Sequence, residues 1–558
     1  MKELERKPIG EEEIARAAAL LEKYRDAKAA YDERIVTDEE WWKMRASGGG
    51  DSTAWLFNAV ANKHADAMDN LPSPVILPRE EGDADDAEKL SDIVPVILSQ
   101  CDFERTYSDV WYDKLKHGTG CYGVFWNPAR CRGRGDVEIK RIDVLNLFWE
   151  GGISDIQRSP AVFYTQLWDN ETLREKYPDA GEFDAAPQDA GRRYLSDEKT
   201  DTADKSLVVD WYYKRRRGGR DILHLCKFCR GKLLFASENE EQYRDGFYAH
   251  GSYPFFIDKL FTLQGTPCGF GLVDVMRNTQ SQIDRLSSAI VKNIELACAV
   301  RYFIRTDGAV NEEEFADFTK PFVHVNGSRL GEDSLRQISV RSLDPAAISV
   351  LRDKIEELKQ VSGNRDFTQG GTSGGITAAS AIAALQEAGN KLSRDMIAGT
   401  YSVFRSVVLA LIELIRQFYD LPRCFRITGK EGDYKFVSYS ASSIARRTVD
   451  LFGHTFEGFE PSFDVAVSAE KQSPFARVTQ NELAKEFFAM GLFDPSRQRE
   501  AAMCVSLMDF EGKEALMKKL SESEGAAAPG AAGGSVSTPM RDAVTEAVRR
   551  AASESALH

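Results

Sequence analysis

LVDVMRNTQSQIDRLSSAIVKNIELACAVR, Leu272–Arg301, decides the reading of this chain of 558 residues. It predicts one helix, entered from a glycine and proline cluster at Gly265-Thr266-Pro267-Cys268-Gly269-Phe270-Gly271. A short strand-like block follows, Tyr302–Arg305 and Phe322–Val325, and then a second helix over Pro345–Val361. The polar, glycine-rich run SGNRDFTQGGTSGGI, Ser362–Ile376, interrupts the helical texture. A very long helix begins near Thr377 and runs to about Tyr419. At ~1.5 Å per residue it spans roughly 60 Å if straight. Gly389 and Gly399 lie inside it. Each weakens the helix by about 1 kcal/mol relative to alanine, so a bend near one of them is expected.

Upstream, Glu11–Glu33 predicts an amphipathic helix. Ile14, Ala17, Leu21, Tyr24, Ala27 and Tyr31 recur at spacings of three and four. That stripe fits a contact with a neighbouring subunit or an ordinary helix on its own core. Trp41 and Trp42 follow, then Ser47-Gly48-Gly49-Gly50. Thr53–Asn70 predicts a second helix, stopped by Leu71-Pro72-Ser73-Pro74 because proline cannot continue one. Ala87–Gly118 reads as helical again and is rich in aromatic residues. From Gly120 the texture turns to strands: Cys121–Trp126, Val137–Ile142, Leu145–Trp149, Val162–Leu167, Leu207–Lys214 and Ile222–Phe228. Gly133–Asp136 and Arg217–Arg220 read as hairpin turns. Downstream, Phe425–Val467 is strand-like and Ser473–Leu520 helical with a break at Phe493-Asp494-Pro495. Gly525–Pro539 has a linker composition, and Arg541–Ala552 could form a short terminal helix. The fold class is α+β, with about three to four domains expected from length.

Composition narrows the function. The net charge of −15 weighs against a surface that grips nucleic acid all over. It does not weigh against a channel through which a polyanion slides. The most apolar segment, Val403–Ile415, is short and carries Arg405 and Glu413, so no membrane span is expected. The first twenty residues lack a secretory pattern. Nine scattered cysteines form no disulfide framework, and synthesis in the cytosol is expected.

Catalytic signatures are missing. Gly429-Lys430 is followed by Glu431 and Gly512-Lys513 by Glu514, so neither is a phosphate-cradling loop. Gly371-Thr372-Ser373-Gly374-Gly375 matches G-x-S-x-G in letters only, inside the glycine-rich run with no strand before it, so no nucleophile elbow is expected, and no H-E-x-x-H occurs. Cys226-Lys227-Phe228-Cys229, with His224 beside it, is the sharpest metal candidate. Structural zinc needs four ligands, and no second pair of this kind appears. Alternation along a strand would send His224 and Cys226 to one face and Cys229 to the other. Cysteines in a half-buried sheet are the favoured reading, and a metal- or thiol-dependent enzyme is the alternative. No cofactor is expected. Arg134-Gly135-Asp136 reads as a chance tripeptide in a turn, and Lys214-Arg215-Arg216-Arg217 as a solvated basic turn that could touch phosphate.

The element order from Gly265 to Tyr419 is similar to that of the portal proteins of tailed phages and prophages, the head-tail connector portal family. WLFNAVANKHADAMDN (Trp55–Asn70), YDKLKHGTGCYGVFWN (Tyr112–Asn127), SGNRDFTQGGTSGGITAASAIAALQEAGNKLSRDM (Ser362–Met396) and FDVAVSAEKQSPFARVTQNELA (Phe463–Ala484) carry the resemblance. It extends over nearly the whole chain to about residue 520.

The resemblance implies a multi-domain portal fold with an α/β wing, helical stem, small clip insert, long kinked helix and helical crown. Residues 1–270 and 420–472 would build the wing. Residues 271–301 and 345–361 would be the stem helices, 302–344 the clip and 362–376 the tunnel loop. Residues 377–419 would be the long wing helix, 473–522 the crown and 523–558 a flexible tail. Asn364, Arg365, Asp366, Phe367, Thr368 and Gln369 would face DNA from the tunnel loop. Arg277, Asp284, Arg285, Lys292 and Glu295 are the candidates for the channel face of the stem. The resemblance further implies a non-enzymatic homo-oligomeric ring, twelve subunits in this family, closed by head-to-tail contacts. Double-stranded DNA would pass through it without sequence recognition. Terminase, major capsid and scaffolding proteins and a head-tail adaptor would be its partners. Its place would be the portal vertex of the virion, after assembly in the bacterial host cytoplasm.

Overall fold

The computed structural model describes residues 8–45, 53–178, 204–363, 391–440, 444 and 447–471, less short breaks (218–219, 245, 300, 305, 307, 309, 318, 330–333, 339–343, 429–433, 452–453 and 460). It also describes residues 486–487, 489–491, 502 and 505. The chain divides into two units, Met1–Lys471 and Gln472–His558. In the second, Phe487 and Val505 are buried. Most of the expected crown helices, the tail, the loop residues Asn364–Gln369 and residues 377–390 of the expected long helix, Gly389 among them, lie outside the described residues.

The first unit mixes helices and strands, the α+β class expected. Its helices are α1 (Glu11–Trp42), α2 (Trp55–Met68), α3 (Ala84–Gln100), α4 (Phe103–His117), α5 (Arg130–Gly133), α6 (Asn170–Lys176), α7 (Leu272–Cys298), α8 (Glu312–Ala316), α9 (Pro345–Ser362) and α10 (Lys391–Phe418). An antiparallel sheet of five strands runs in the order β4 (Leu147–Trp149), β5 (Ala161–Asp169), β6 (Lys205–Arg217), β7 (Arg220–Cys229), β8 (Lys232–Ala236). A second sheet places β2 (Thr119–Asn127) between β3 (Asp136–Arg141) and β9 (Phe255–Lys259). The apolar stripe of α1 lies on the larger sheet: Ile14, Ala17, Leu21 and Tyr24 pack with Phe148, Phe163, Val209 and Phe228. The stripe therefore serves the subunit's own core. At its lower end Lys28 replaces Ala27 as the buried residue, its ammonium paired with Asp32 at 2.7 Å.

The expected helix Ala87–Gly118 is two helices. Asp102 adopts a left-handed backbone, φ 55°, and turns the chain between α3 and α4. Gly118 ends α4 at φ 81°, a value that favours glycine. A Cβ there would stand 2.0 Å from the Phe270 carbonyl carbon, so the chain just before α7 is seated directly on the end of α4.

Leu71-Pro72-Ser73-Pro74 stops α2, and it also enters a strand. β1 (Asn70–Pro78) pairs antiparallel with β18 (Phe463–Lys471) in a sheet of two strands. Its prolines are tolerated because β1 has a partner on one edge only. In the segment between α7 and α9, β12 (Arg301–Ile304) pairs with β13 (Leu335–Ile338). Phe322–Val325 is thus not the partner strand; it contributes one bridge, Val325 to Val310.

The expectation that nothing is apolar enough to span a membrane needs correction for α10. Ser393–Phe418 passes by length and by a mean hydropathy of 1.5. Its apolar side chains are used inside the protein: Phe404, Val407, Val408, Leu411, Leu414 and Ile415 are all buried in the main core.

Candidate functional site: a helix pair and the segment it carries

α7 starts at Gly271, where the Asp274 carboxylate accepts the Gly271 N–H at 3.1 Å. Its first half is built into the body. Leu272, Val273, Met276, Gln280, Ile283 and Asp284 are buried. Gln280 accepts the Leu56 N–H at 3.1 Å and donates to the Thr53 carbonyl at 2.8 Å. From Arg285 to Ala299 no residue is buried. That stretch spans roughly 20 Å of helix.

α9 mirrors the pattern. The Asp344 carboxylate accepts the Ala346 N–H at 3.0 Å, and Pro345 opens the first turn. Only at its far end are side chains buried, Leu358 and Ser362, before the Gly363 cap at φ 72°. The two helices pack side by side with opposite polarity, anchored at the start of α7 and the end of α9.

Apolar side chains stay exposed on this pair: Val291, Ile294 and Leu296 on α7, Ile348 and Val350 on α9. Val291 and Ile294 are three residues apart and share a helix face. The segment between the helices has almost no core. Among its described residues only Val310 and Ser334 are buried, while Phe303 and Phe322 are 63% and 76% exposed. A hydrogen bond between the His324 ring and the Glu314 carboxylate, at 2.7 Å, ties it locally. The His324 N–H and ring hold the Glu314 carboxyl below its ordinary range.

The five charges expected on the channel face divide. Arg285, Lys292 and Glu295 are exposed on the uncovered half of α7. Asp284 is not; that expectation is corrected. Its carboxylate is buried and accepts the Thr53 N–H at 3.0 Å, the Thr53 hydroxyl at 2.8 Å and the Gln280 amide at 2.8 Å. Arg277 is half-buried and turned to the body, 3.6 Å from Asp38 and 3.9 Å from Asp274.

Asp38 was not visible in the sequence as a special residue. Its side chain is wholly buried, and neither oxygen accepts a hydrogen bond from a described residue. Burial first, and then the nearby Asp274 charge, push its carboxyl up to about 8.

The metal candidate comes apart. The His224 ring lies 3.1 Å from the Ser237 hydroxyl. Cys226 is buried against Phe163 and Phe228, whereas Cys229 packs in a different cluster with Leu173 and Val208. Burial pushes the Cys226 thiol up to about 12, which disfavours the thiolate. Among the described residues no group of three or more His, Cys, Asp or Glu is placed to hold a metal ion. The basic run is also engaged internally. Lys214 donates to the Gln157 carbonyl at 2.7 Å, and Arg215 pairs with Glu238 at 3.5 Å.

No curated protein matches the chain. Among solved structures, a chain of the "Virion of native gene transfer agent (GTA) particle" aligns at 10% identity, covering 85% of this chain and 92% of that one, with a TM-score of 0.37. The family model described as "Phage P22-like portal protein" matches residues 12–252 and 223–535, which is most of the sequence. A match of that extent, over both the sheet region and the paired helices, means that the chain belongs to the phage P22-like portal protein family.

Proposed function

We propose that copies of this chain close into a ring at one capsid vertex, with α7 and α9 around a central channel for DNA packaging and ejection. One observation carries the reading: burial stops halfway along α7. Val291, Ile294 and Leu296 lie beyond that point and stay 44–52% exposed. Apolar surface in water is unfavourable by roughly 25 cal/mol per Å². Head-to-tail contact with a neighbouring copy removes it while leaving Arg285, Lys292 and Glu295 to pair across the contact or face a hydrated channel.

In this reading residues 302–344 form the clip, facing terminase during packaging and the head-tail adaptor afterwards. Residues 362–376 form the tunnel loop, and its Asn364, Arg365, Asp366, Phe367, Thr368 and Gln369 meet the phosphate backbone without reading sequence. Residues up to 270 with 420–472 form the wing, and 473–522 the crown, next to capsid and scaffolding proteins. The protein's work is structural, a twelve-fold conduit assembled in the host cytoplasm and retained in the virion.

Imaging of the purified protein by electron microscopy, beside sedimentation, tests this. Rings with a central hole are expected, and Ile294→Asp is expected to shift them toward free subunits that remain folded. A wild-type protein that sediments as a monomer at micromolar concentration overturns the reading.

A further inference from the structure

Two buried lysines reach the same helix from different directions. Lys63 on α2 donates to the Ser393 hydroxyl at 3.0 Å, and Ser393 donates to Asp66 at 2.8 Å. Lys114 on α4 donates to the Thr400 hydroxyl at 2.6 Å, and Thr400 donates to Asp258 at 2.6 Å. Lys114 also donates to Asp258 at 2.8 Å and to the Met396 carbonyl at 3.0 Å. Lys63, Lys114, Asp258, Ser393 and Thr400 are all buried, so no substrate reaches these hydroxyls and a nucleophile–base role is excluded.

Ser393 and Thr400 are seven residues apart, two helical turns, and therefore lie on one stripe of α10. The less buried Tyr401, Arg405, Arg416 and Gln417 also donate to backbone carbonyls of the body, while the helix's other buried residues present an apolar surface. Such a surface is tolerant of sliding, because one apolar side chain replaces another. The hydroxyls are not tolerant of it. A shift of α10 by one turn would bring Phe404 or Met396 to Lys114 and Ile397 to Lys63, so that each buried ammonium loses its hydroxyl partner and keeps only Asp258 or Asp66.

We propose that these two lysine–hydroxyl–carboxylate sets are a register lock, which holds α10 at one axial position on the body. The lock does not depend on the channel reading. Buried polar groups of this kind are known to select one register among near-equivalent apolar packings. Gly399, one residue before Thr400, has no atom within 4 Å of where its Cβ would be. Glycine here weakens the helix without any steric demand, which makes an external fixing point at Thr400 the more necessary.

Hydrogen–deuterium exchange on the full chain tests the lock. Thr400→Val keeps the shape and leaves Lys114 paired with Asp258; Ser393→Ala removes the other hydroxyl. In the double variant, amides of Lys391–Phe418 are expected to exchange at least about fivefold faster, with those of α4 unchanged. Thr400→Ser is expected to exchange as wild type, which reports that the hydroxyl and not the methyl matters. A smaller rise in α10, or an equal rise in α4, overturns the proposal. So does Thr400→Ser behaving like Thr400→Val.

Discussion

Replacing Asp284 by alanine separates a fold role from a channel role for the charges of α7. The Asp284 carboxylate accepts from the Thr53 N–H, the Thr53 hydroxyl and the Gln280 amide, at 2.8–3.0 Å. Alanine leaves those donors facing a small void. An unsatisfied buried donor costs about 1–3 kcal/mol. The Thr53 hydroxyl can rotate and Gln280 retains the Thr53 carbonyl, so the net loss is taken as ~2–4 kcal/mol and not as a sum of three. Arg285, the next residue, is exposed; its alanine variant should fall within about 0.5 kcal/mol of wild type. Urea unfolding of the two variants side by side measures the difference as a midpoint shift at constant slope. Equal midpoints for Asp284→Ala and Arg285→Ala would falsify the placement of Asp284 in the core. They would return it to the solvent face, where the sequence alone had put it.

Asp38 predicts a pH dependence. Its carboxyl is raised to about 8, so the folded protein holds a proton that the unfolded chain releases near pH 4. Stability from this group is complete below about pH 4 and is lost as pH rises toward 8, at up to about 1.4 kcal/mol per pH unit. Asp38→Asn should flatten that slope, and a variant whose melting temperature between pH 5 and 8 tracks wild type would refute it. Gly118→Ala combines φ 81° with a Cβ placed 2.0 Å from the Phe270 backbone. It should cost about 2–4 kcal/mol or abolish soluble protein. Gly133→Ala, at φ 84° in open space, should cost only the backbone strain, about 1–2 kcal/mol. Comparable denaturation midpoints for the two would show that the seat of α7 on α4 is loose.

Local pattern made the elements legible and left their pairing obscure. The strands Cys121–Trp126 through Ile222–Phe228 were readable because β-branched and aromatic runs sat between turn residues. β9 was missed, and so was the β1–β18 pair, whose partners Asn70 and Lys471 are 401 residues apart in the chain. Nothing local announces a partner at that distance, and the three prolines of β1 argue against a strand by every local rule. The break at Asp102 was invisible for a related reason. A left-handed aspartate is uncommon, and the helical pattern on both sides continues through it. At the candidate site, charge could be read but orientation could not. Arg277, Asp284, Arg285, Lys292 and Glu295 look alike in sequence. Tertiary contacts with Thr53 and Asp38 decide that two of them turn inward.

The same limit explains why α7 reads as a single helix and yet behaves as two. Amphipathic spacing tells which residues share a face, not which molecule covers it. Up to Asp284 the covering comes from α1, α2 and α4; beyond Arg285 no residue is buried. A helix that meant to stay in water over that second half would carry charge where Val291, Ile294 and Leu296 stand. A helix that meant to enter its own core would not keep Lys292 and Glu295 among them. The mixture suits a surface dry against a neighbour on one side and wet on the other. In the ring proposed above, that neighbour is another copy of the same chain.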